Sequence, residues 1–372
     1  MTSTASAPVS APPFGRFFLP GPTEVLPEIL AAQLRPMIGH RGKSMEQLIA
    51  MLQPGLQRIF RTARPVYICS SSATGLMEAA IRNCGGQRVL CLVNGAFSER
   101  FYRIAQANGR EVTPLEVPLG QSHAPELLAE ALRRGRYDAV TVVHSETSTG
   151  ALNPVRELAR VAHEAGEVLL LVDSVTGVAG APVESDAWEL DFVLTGSQKA
   201  LALPPGLALG VAQPRALERA KQQSNRGVYF DLVEFESNIR KNQTPNTPAL
   251  SLMYALAAQV GRIDRETIEG RWARHQAMAE RTWRWAAEMR SRGIEVAILS
   301  PEGSRSPTVS CLTLPAGRKG GEVNEAMKAR GFTISAGYGS LKDTTIRIGH
   351  MGDHTVAELE TLLTALEEVL AA

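Results

Sequence analysis

From Val66 onward, short apolar runs alternate with stretches of helical period. Val66–Ser70, Arg88–Val93, Glu111–Val117, Ala139–His144, Val168–Asp173, Phe192–Thr195 and Leu207–Ala212 read as strands. Between them Thr74–Asn83, Phe97–Asn108, Pro125–Arg134 and Val155–Ala165 read as helices, with glycines closing the first, second and fourth. Val168–Asp173 is almost wholly apolar, as suits a strand covered on both faces. The alternation predicts an α/β fold, a mostly parallel sheet with helices on both sides. Ligands of such sheets bind beyond the carboxyl ends of the strands.

After Arg265 the texture changes. A long helical pattern over Thr267–Arg292 precedes short strands at Glu295–Leu299, Thr308–Leu314, Phe332–Ser335 and Thr345–Ile348. Helices are expected at Val323–Arg330 and Val356–Leu370. The pattern predicts an N-terminal arm over residues 1–20, a large domain over 21–265 and a smaller α+β domain over 266–372. No internal repeat is visible.

Composition narrows the function. The 372 residues carry a formal net charge of +1, so no field draws in nucleic acid or an anionic membrane. No apolar run is long enough to span a bilayer. Met1–Pro13 is rich in Ser, Ala, Thr and Pro, without the basic and apolar regions of a secretory signal, and reads as a flexible arm. Cys69, Cys84, Cys91 and Cys311 form no C-x-x-C pair, which suits reduced, buried thiols in a cytoplasmic protein. No metal is expected.

Four features fall at predicted strand ends or in the adjoining loops. Ser71-Ser72-Ala73-Thr74-Gly75 opens a helix, where free amides and the helix dipole favour a phosphate; the competing reading is an ordinary N-cap. Asp173 ends a run of five apolar residues, and a carboxylate there needs a partner. That partner could be a protonated ring nitrogen, a metal or a helix terminus. Lys199 stands among small and apolar residues in Gly196-Ser197-Gln198-Lys199-Ala200-Leu201. Burial would favour the free amine that a Schiff base needs, unless the side chain snorkels to solvent. Arg347 in Thr345-Ile346-Arg347-Ile348-Gly349 suits bidentate capture of a carboxylate, or lies exposed on an edge strand. None of these is specific alone. Their order is a phosphate loop, an acidic strand end, a lysine 26 residues on, and an arginine in a separate domain, and it fits the needs of one cofactor.

With these residues in place, the chain resembles a class V aminotransferase of the pyridoxal-phosphate (PLP) fold type I, in the alanine–glyoxylate, serine–glyoxylate and serine–pyruvate branch. The matching stretches are Phe18-Leu19-Pro20-Gly21-Pro22-Thr23, Gly39-His40-Arg41, Ser72-Ala73-Thr74-Gly75-Leu76-Met77-Glu78-Ala79-Ala80, His144-Ser145-Glu146-Thr147-Ser148-Thr149-Gly150, Val172-Asp173-Ser174-Val175, Gly196-Ser197-Gln198-Lys199-Ala200-Leu201 and Ile346-Arg347-Ile348-Gly349. The resemblance implies a seven-stranded, mostly parallel sheet in the large domain. It implies that Lys199 holds PLP covalently and shuttles a proton, and that Asp173 pairs with the pyridinium. Val175 would pack on one ring face, and Thr147 would sit near the ring hydroxyl. Ser72, Ala73, Thr74 and Gln198 would hold the phosphate. Arg347 would clamp the substrate α-carboxylate, with Gly21 and Pro22 at the entrance. It further implies a homodimer with a shared site, in which Thr244 or Thr247 reaches the partner's cofactor.

The chain departs from the family pattern in places. The aromatic ring expected on the cofactor, just after Asn94-Gly95-Ala96-Phe97, is assigned here to Phe101. Ala73 stands where a glycine is common, and Gln243 where relatives often carry Tyr. The implied reaction is a ping-pong transfer from a small amino acid, serine or alanine, to glyoxylate or pyruvate. Aspartate, phosphoserine or ureidoglycine is the alternative donor. A cysteine desulfurase or β-lyase on the same fold is disfavoured because no cysteine falls on a predicted mobile loop. A PLP-binding protein without turnover is disfavoured because every key position is filled.

Overall fold

The computed structural model describes residues 14–371, so the arm read at Met1–Pro13 lies outside the described residues. The central sheet has seven strands: β1 (Tyr67–Cys69), β2 (Arg88–Val93), β3 (Glu111–Glu116), β4 (Ala139–Val143), β5 (Leu169–Asp173), β6 (Phe192–Gly196) and β7 (Ala208–Ala212). Their spatial order is β1-β7-β6-β5-β4-β2-β3. Neighbours from β6 to β3 run parallel, and β7 lies antiparallel to both β6 and β1. Both β4 and β5 are buried at every position, which is why their sequences do not alternate.

Helices α1 (Lys43–Phe60), α2 (Ala73–Cys84) and α3 (Ala96–Ala107) cover this sheet together with α4 (Leu250–Glu266) and shorter companions. α1 falls outside the stretch read as alternating. Met45, Leu48, Ile49, Leu52, Leu56 and Ile59 recur at helical spacing along it and are buried in the main core. Pro54 is accommodated inside it.

A second apolar cluster forms on a four-stranded antiparallel sheet of β8 (Ala297–Ile298), β9 (Val309–Thr313), β10 (Ser335–Ala336) and β11 (Thr345–Gly349), with α5 (Ile268–Ser291) and the closing helix α6 (Val356–Ala371) against it. Two expectations change here. The strand read at Phe332–Ser335 is the two-residue β10, because Thr333 instead bridges Phe17, and Phe18 donates its amide to Thr333 O at 2.8 Å. Accordingly Phe14–Pro20 is not a free arm: Phe18 is fully buried within the second cluster.

Candidate active site

The carboxyl ends of β4, β5 and β6 line up, with Val143 beside Asp173 and Asp173 beside Leu194. Asp173 is thereby carried to the sheet's edge yet stays buried. Its Oδ1 accepts the Val175 amide at 2.8 Å, and no Lys or Arg forms an ion pair with it among the described residues. Burial outweighs that amide, so the carboxyl is pushed up to about 7.

After β6 the chain makes a tight loop. Ser197 Oγ donates to Pro204 O at 2.8 Å, Leu203 N reaches Ser197 O, and Ala202 N reaches Lys199 O. The loop turns Lys199 inward, leaving it 7% exposed. Burial is the largest influence on its amine, and the nearby Arg347 charge adds to it, bringing the amine down to about 8. Nζ donates to Pro20 O at 2.6 Å. A Cβ at position 21 would lie 2.3 Å from both Cδ and Nζ of Lys199, and Gly21 has φ +105°, so only glycine fits there. Thr23 fastens this segment from the other side, its N to Gln198 O and its Oγ1 to Lys199 O.

Arg347, on β11, is buried rather than exposed on an edge, because β11 lies between β9 and β10. Its guanidinium donates to Thr147 O at 3.2 Å, Ser335 Oγ at 2.8 Å and Ala336 O at 3.2 Å, all neutral acceptors. It has no carboxylate partner among the described residues, and burial lowers its pKa. The contact with Thr147 O brings the clamp candidate to the loop beyond β4.

At the start of α2, Ser72 occupies the N-cap position but its hydroxyl makes no capping bond, so the ordinary-cap reading is not what the side chain does. Ser72 is exposed and Thr74 half-buried. The Ser72–Ala73 backbone adjoins the lysine loop: a Cβ on Gly196 would lie 3.3 Å from the Ala73 Cβ and 2.9 Å from Gln198 Oε1.

The family follows from comparison. The family description Aminotransferase class-V matches residues 29–362. An uncharacterised aminotransferase of Methanocaldococcus jannaschii is 36% identical, covering 95% of this chain and 91% of that protein. A serine–glyoxylate aminotransferase of Methylorubrum extorquens is 31% identical, covering 90% and 86%. A subgroup IV aspartate aminotransferase structure from Thermus thermophilus superposes with TM-score 0.87 at 34% identity, covering 96% and 99%. The chain is a class V aminotransferase. Its fold is the PLP-dependent fold type I of that family.

Within this aminotransferase the two phenylalanines of the turn sit differently. Phe101 is fully buried in the main core. Phe97, one turn earlier and half-buried, has its ring centroid 5.8 Å from Lys199 Nζ and 5.7 Å from the Tyr338 ring. The first turn of α3 lies at the sheet edge where ligands bind, whereas a residue one turn on is about 5 Å deeper. That rule could have picked Phe97 from the Asn94-Gly95-Ala96-Phe97 motif.

Val175 is half-buried beside Asp173, and Thr147 Oγ1 lies 3.4 Å from Thr176 Oγ1. Thr244 and Thr247 differ. Thr244 is buried, its hydroxyl bonded to Asn246 O at 2.8 Å and its carbonyl to Arg41. Thr247 is exposed, with Oγ1 3.5 Å from His40 Nε2. Both lie on a segment pinned beside β1 by Ala249 N donating to Ser70 Oγ at 2.7 Å. The sequence reading missed three residues near the site. Tyr338 has the Arg347 guanidinium 5.5 Å from its ring, Arg100 lies over Phe97 at 5.0 Å, and the third is the buried Glu146.

Proposed function

We propose that this aminotransferase holds PLP at Lys199 and transfers the amino group of a small amino acid, serine or alanine, to glyoxylate or pyruvate. One observation carries the reading: two titratable groups, Lys199 and Asp173, are buried close enough to feel each other's charge, form no ion pair among the described residues, and are shifted towards each other's pKa range. The residues fit the cofactor. Asp173 offers a carboxylate that lacks a cation. Lys199 offers an amine largely free of its proton above about pH 8. Ser72, Ala73, Thr74 and Gln198 gather small residues, amides and hydroxyls at one helix N-terminus, as a phosphate requires. Bound PLP supplies an electrophilic aldehyde and an electron-withdrawing ring.

Each residue then has a task. Lys199 would hold the cofactor's aldehyde carbon and move the proton at the substrate α-carbon. Asp173 would favour a cationic ring nitrogen. Phe97 and Val175 would hold the ring's two faces, and Thr147 its hydroxyl. Arg347 binds the α-carboxylate, exchanging a neutral acceptor for an anion. Gly21 and Pro22 would line the entrance. The same proposal includes a homodimer in the cytoplasm. Leu34, Met37, Met51 and Val228 are strongly exposed apolar side chains of the kind that a subunit interface covers. Thr247, exposed where Thr244 is buried, is the better placed of the two to reach a partner's phosphate.

A desulfurase reading lacks support. All four cysteines are free and buried, with burial pushing Cys91 up to about 12 and Cys311 up to about 11. Lys199→Ala should fold, lose the lysine-dependent visible absorbance and lose about 10²–10⁴-fold or more in transfer rate. A mutant that keeps a lysine-linked cofactor overturns the site. A panel of serine, alanine and aspartate against glyoxylate and pyruvate tests the donor, and aspartate dominating the panel would replace serine and alanine.

A further inference from the structure

Glu146 is fully buried, two positions beyond His144 at the end of β4, and the mechanism above does not use it. It is surrounded by donors. Its Oε1 accepts Phe97 N at 3.2 Å, Ser148 N at 3.1 Å and the Ser148 hydroxyl at 2.5 Å. Its Oε2 accepts Ser98 N at 2.9 Å and lies 3.0 Å from Ser98 Oγ. Phe97 N and Ser98 N are first-turn amides of α3, which have no acceptor within the helix. The carboxylate therefore caps α3 from a different segment and sits at the positive end of its dipole. The fit is tight. A Cβ on Gly95 would lie 2.5 Å from Glu146 Cγ and 2.4 Å from Ser148 Oγ, so the Asn94-Gly95 turn is shaped around this contact.

These bonds join two walls of the crevice. One carries Phe97, whose ring faces Lys199; the other carries Thr147, whose carbonyl holds Arg347. The charge also reaches the site, since Glu146 opposes ionisation of Asp173 and favours the cationic form of Arg347. A further negative charge near Asp173 favours a cation bound there.

We propose that Glu146 is a positioning residue of this active site: it docks the Phe97 turn onto the Thr147–Ser148 loop and keeps a second negative charge near Asp173. This rests on the PLP reading of Lys199, so wild type and Lys199→Ala are compared first. If their absorbance spectra do not differ, it is the cofactor reading that fails.

With that control passed, Glu146→Gln and Glu146→Asp are compared with wild type. Three quantities are read: PLP affinity of the apo-protein by equilibrium dialysis, the pH midpoint of the lysine-dependent absorbance, and the melting temperature. Glu146→Gln keeps the shape but turns an amide NH₂ towards donors, and should bind PLP about tenfold more weakly. Its midpoint should move to lower pH, because a charge favouring the protonated linkage is gone. Glu146→Asp keeps the charge and should hold the wild-type midpoint while still losing affinity. A Glu146→Gln protein with lowered melting temperature but wild-type affinity and midpoint would show a purely structural role and overturn the proposal. If Glu146→Gln does not fold, Ser148→Ala removes the shortest bond and leaves the carboxylate in place. Unchanged PLP affinity in Ser148→Ala then overturns the docking role.

Discussion

Two buried aspartates in this protein have opposite surroundings. Among the described residues Asp173 has one amide donor and no cation within ion-pair distance, and is raised from 3.8 to about 7. Asp353, in the loop after β11, accepts Arg271 Nη1 at 2.8 Å, Gln259 Nε2 at 3.0 Å and Arg262 Nε at 3.2 Å, and is lowered from 3.8 to about 2. The cations divide in the same way. Arg271 is fully buried and satisfied by Asp353, Glu266 and the Ala200 carbonyl, whereas Arg347 has neutral acceptors alone among the described residues. Burial alone is therefore not the functional signal. A buried charge whose partner lies within the chain is scaffold, and one left incomplete marks where a ligand belongs. The two regions also touch: Arg271 holds the carbonyl of Ala200, next to Lys199, so the closed network braces the open one.

The comparison can be broken by substitution. Asp353→Asn should cost about 3–5 kcal/mol in urea unfolding, because it takes the fully buried carboxylate from Arg271 and leaves that guanidinium with Glu266 as its one anionic partner among the described residues. The depressed pKa gives the sign for wild type. The Asp353 contribution is complete above the unfolded value near 4 and is lost as pH falls towards about 2. Asp173→Asn should act in the opposite direction, stabilising the apo-protein at pH 8 by on the order of 4 kcal/mol. Here the folded pKa is raised, so wild-type apo-protein loses stability as pH rises from near 4 through about 7. The same substitution should weaken PLP about a hundredfold, and equal or tighter binding would remove Asp173 from the site. The smallest effect separates the two phenylalanines. Phe101→Leu should cost about 1 kcal/mol of stability with PLP affinity intact, whereas Phe97→Leu should leave stability within about 0.5 kcal/mol and weaken PLP. The reverse result would return the stacking role to Phe101.

Much of this was legible in the chain. The apolar runs ending at Asp173 and before Lys199 carry their own strand signal, because strands covered on both faces cannot hide their composition. The Asn94-Gly95 turn was legible too, but which of two phenylalanines one turn apart faces the crevice was not. Both sit on the same face of α3, and only the sheet edge decides which is open. Glu146 gave no signal because its donors are three backbone amides, which any residues can supply, and two serine hydroxyls, one of them on a separate segment. The burial of Phe18 was not legible for a related reason: it depends on Thr333, distant in the chain, being there to receive the segment.

The sequence by itself determined the order of strands and helices, the family, and the residue types the chemistry needs, since periodicity and short motifs are local properties. Only the tertiary structure decided which charges stay unpartnered, because ion pairs such as Arg271–Asp353 join residues 82 apart and depend on how α5 packs against the loop after β11. It also decided that position 21 must be glycine, through a lysine arriving from the far side of the fold.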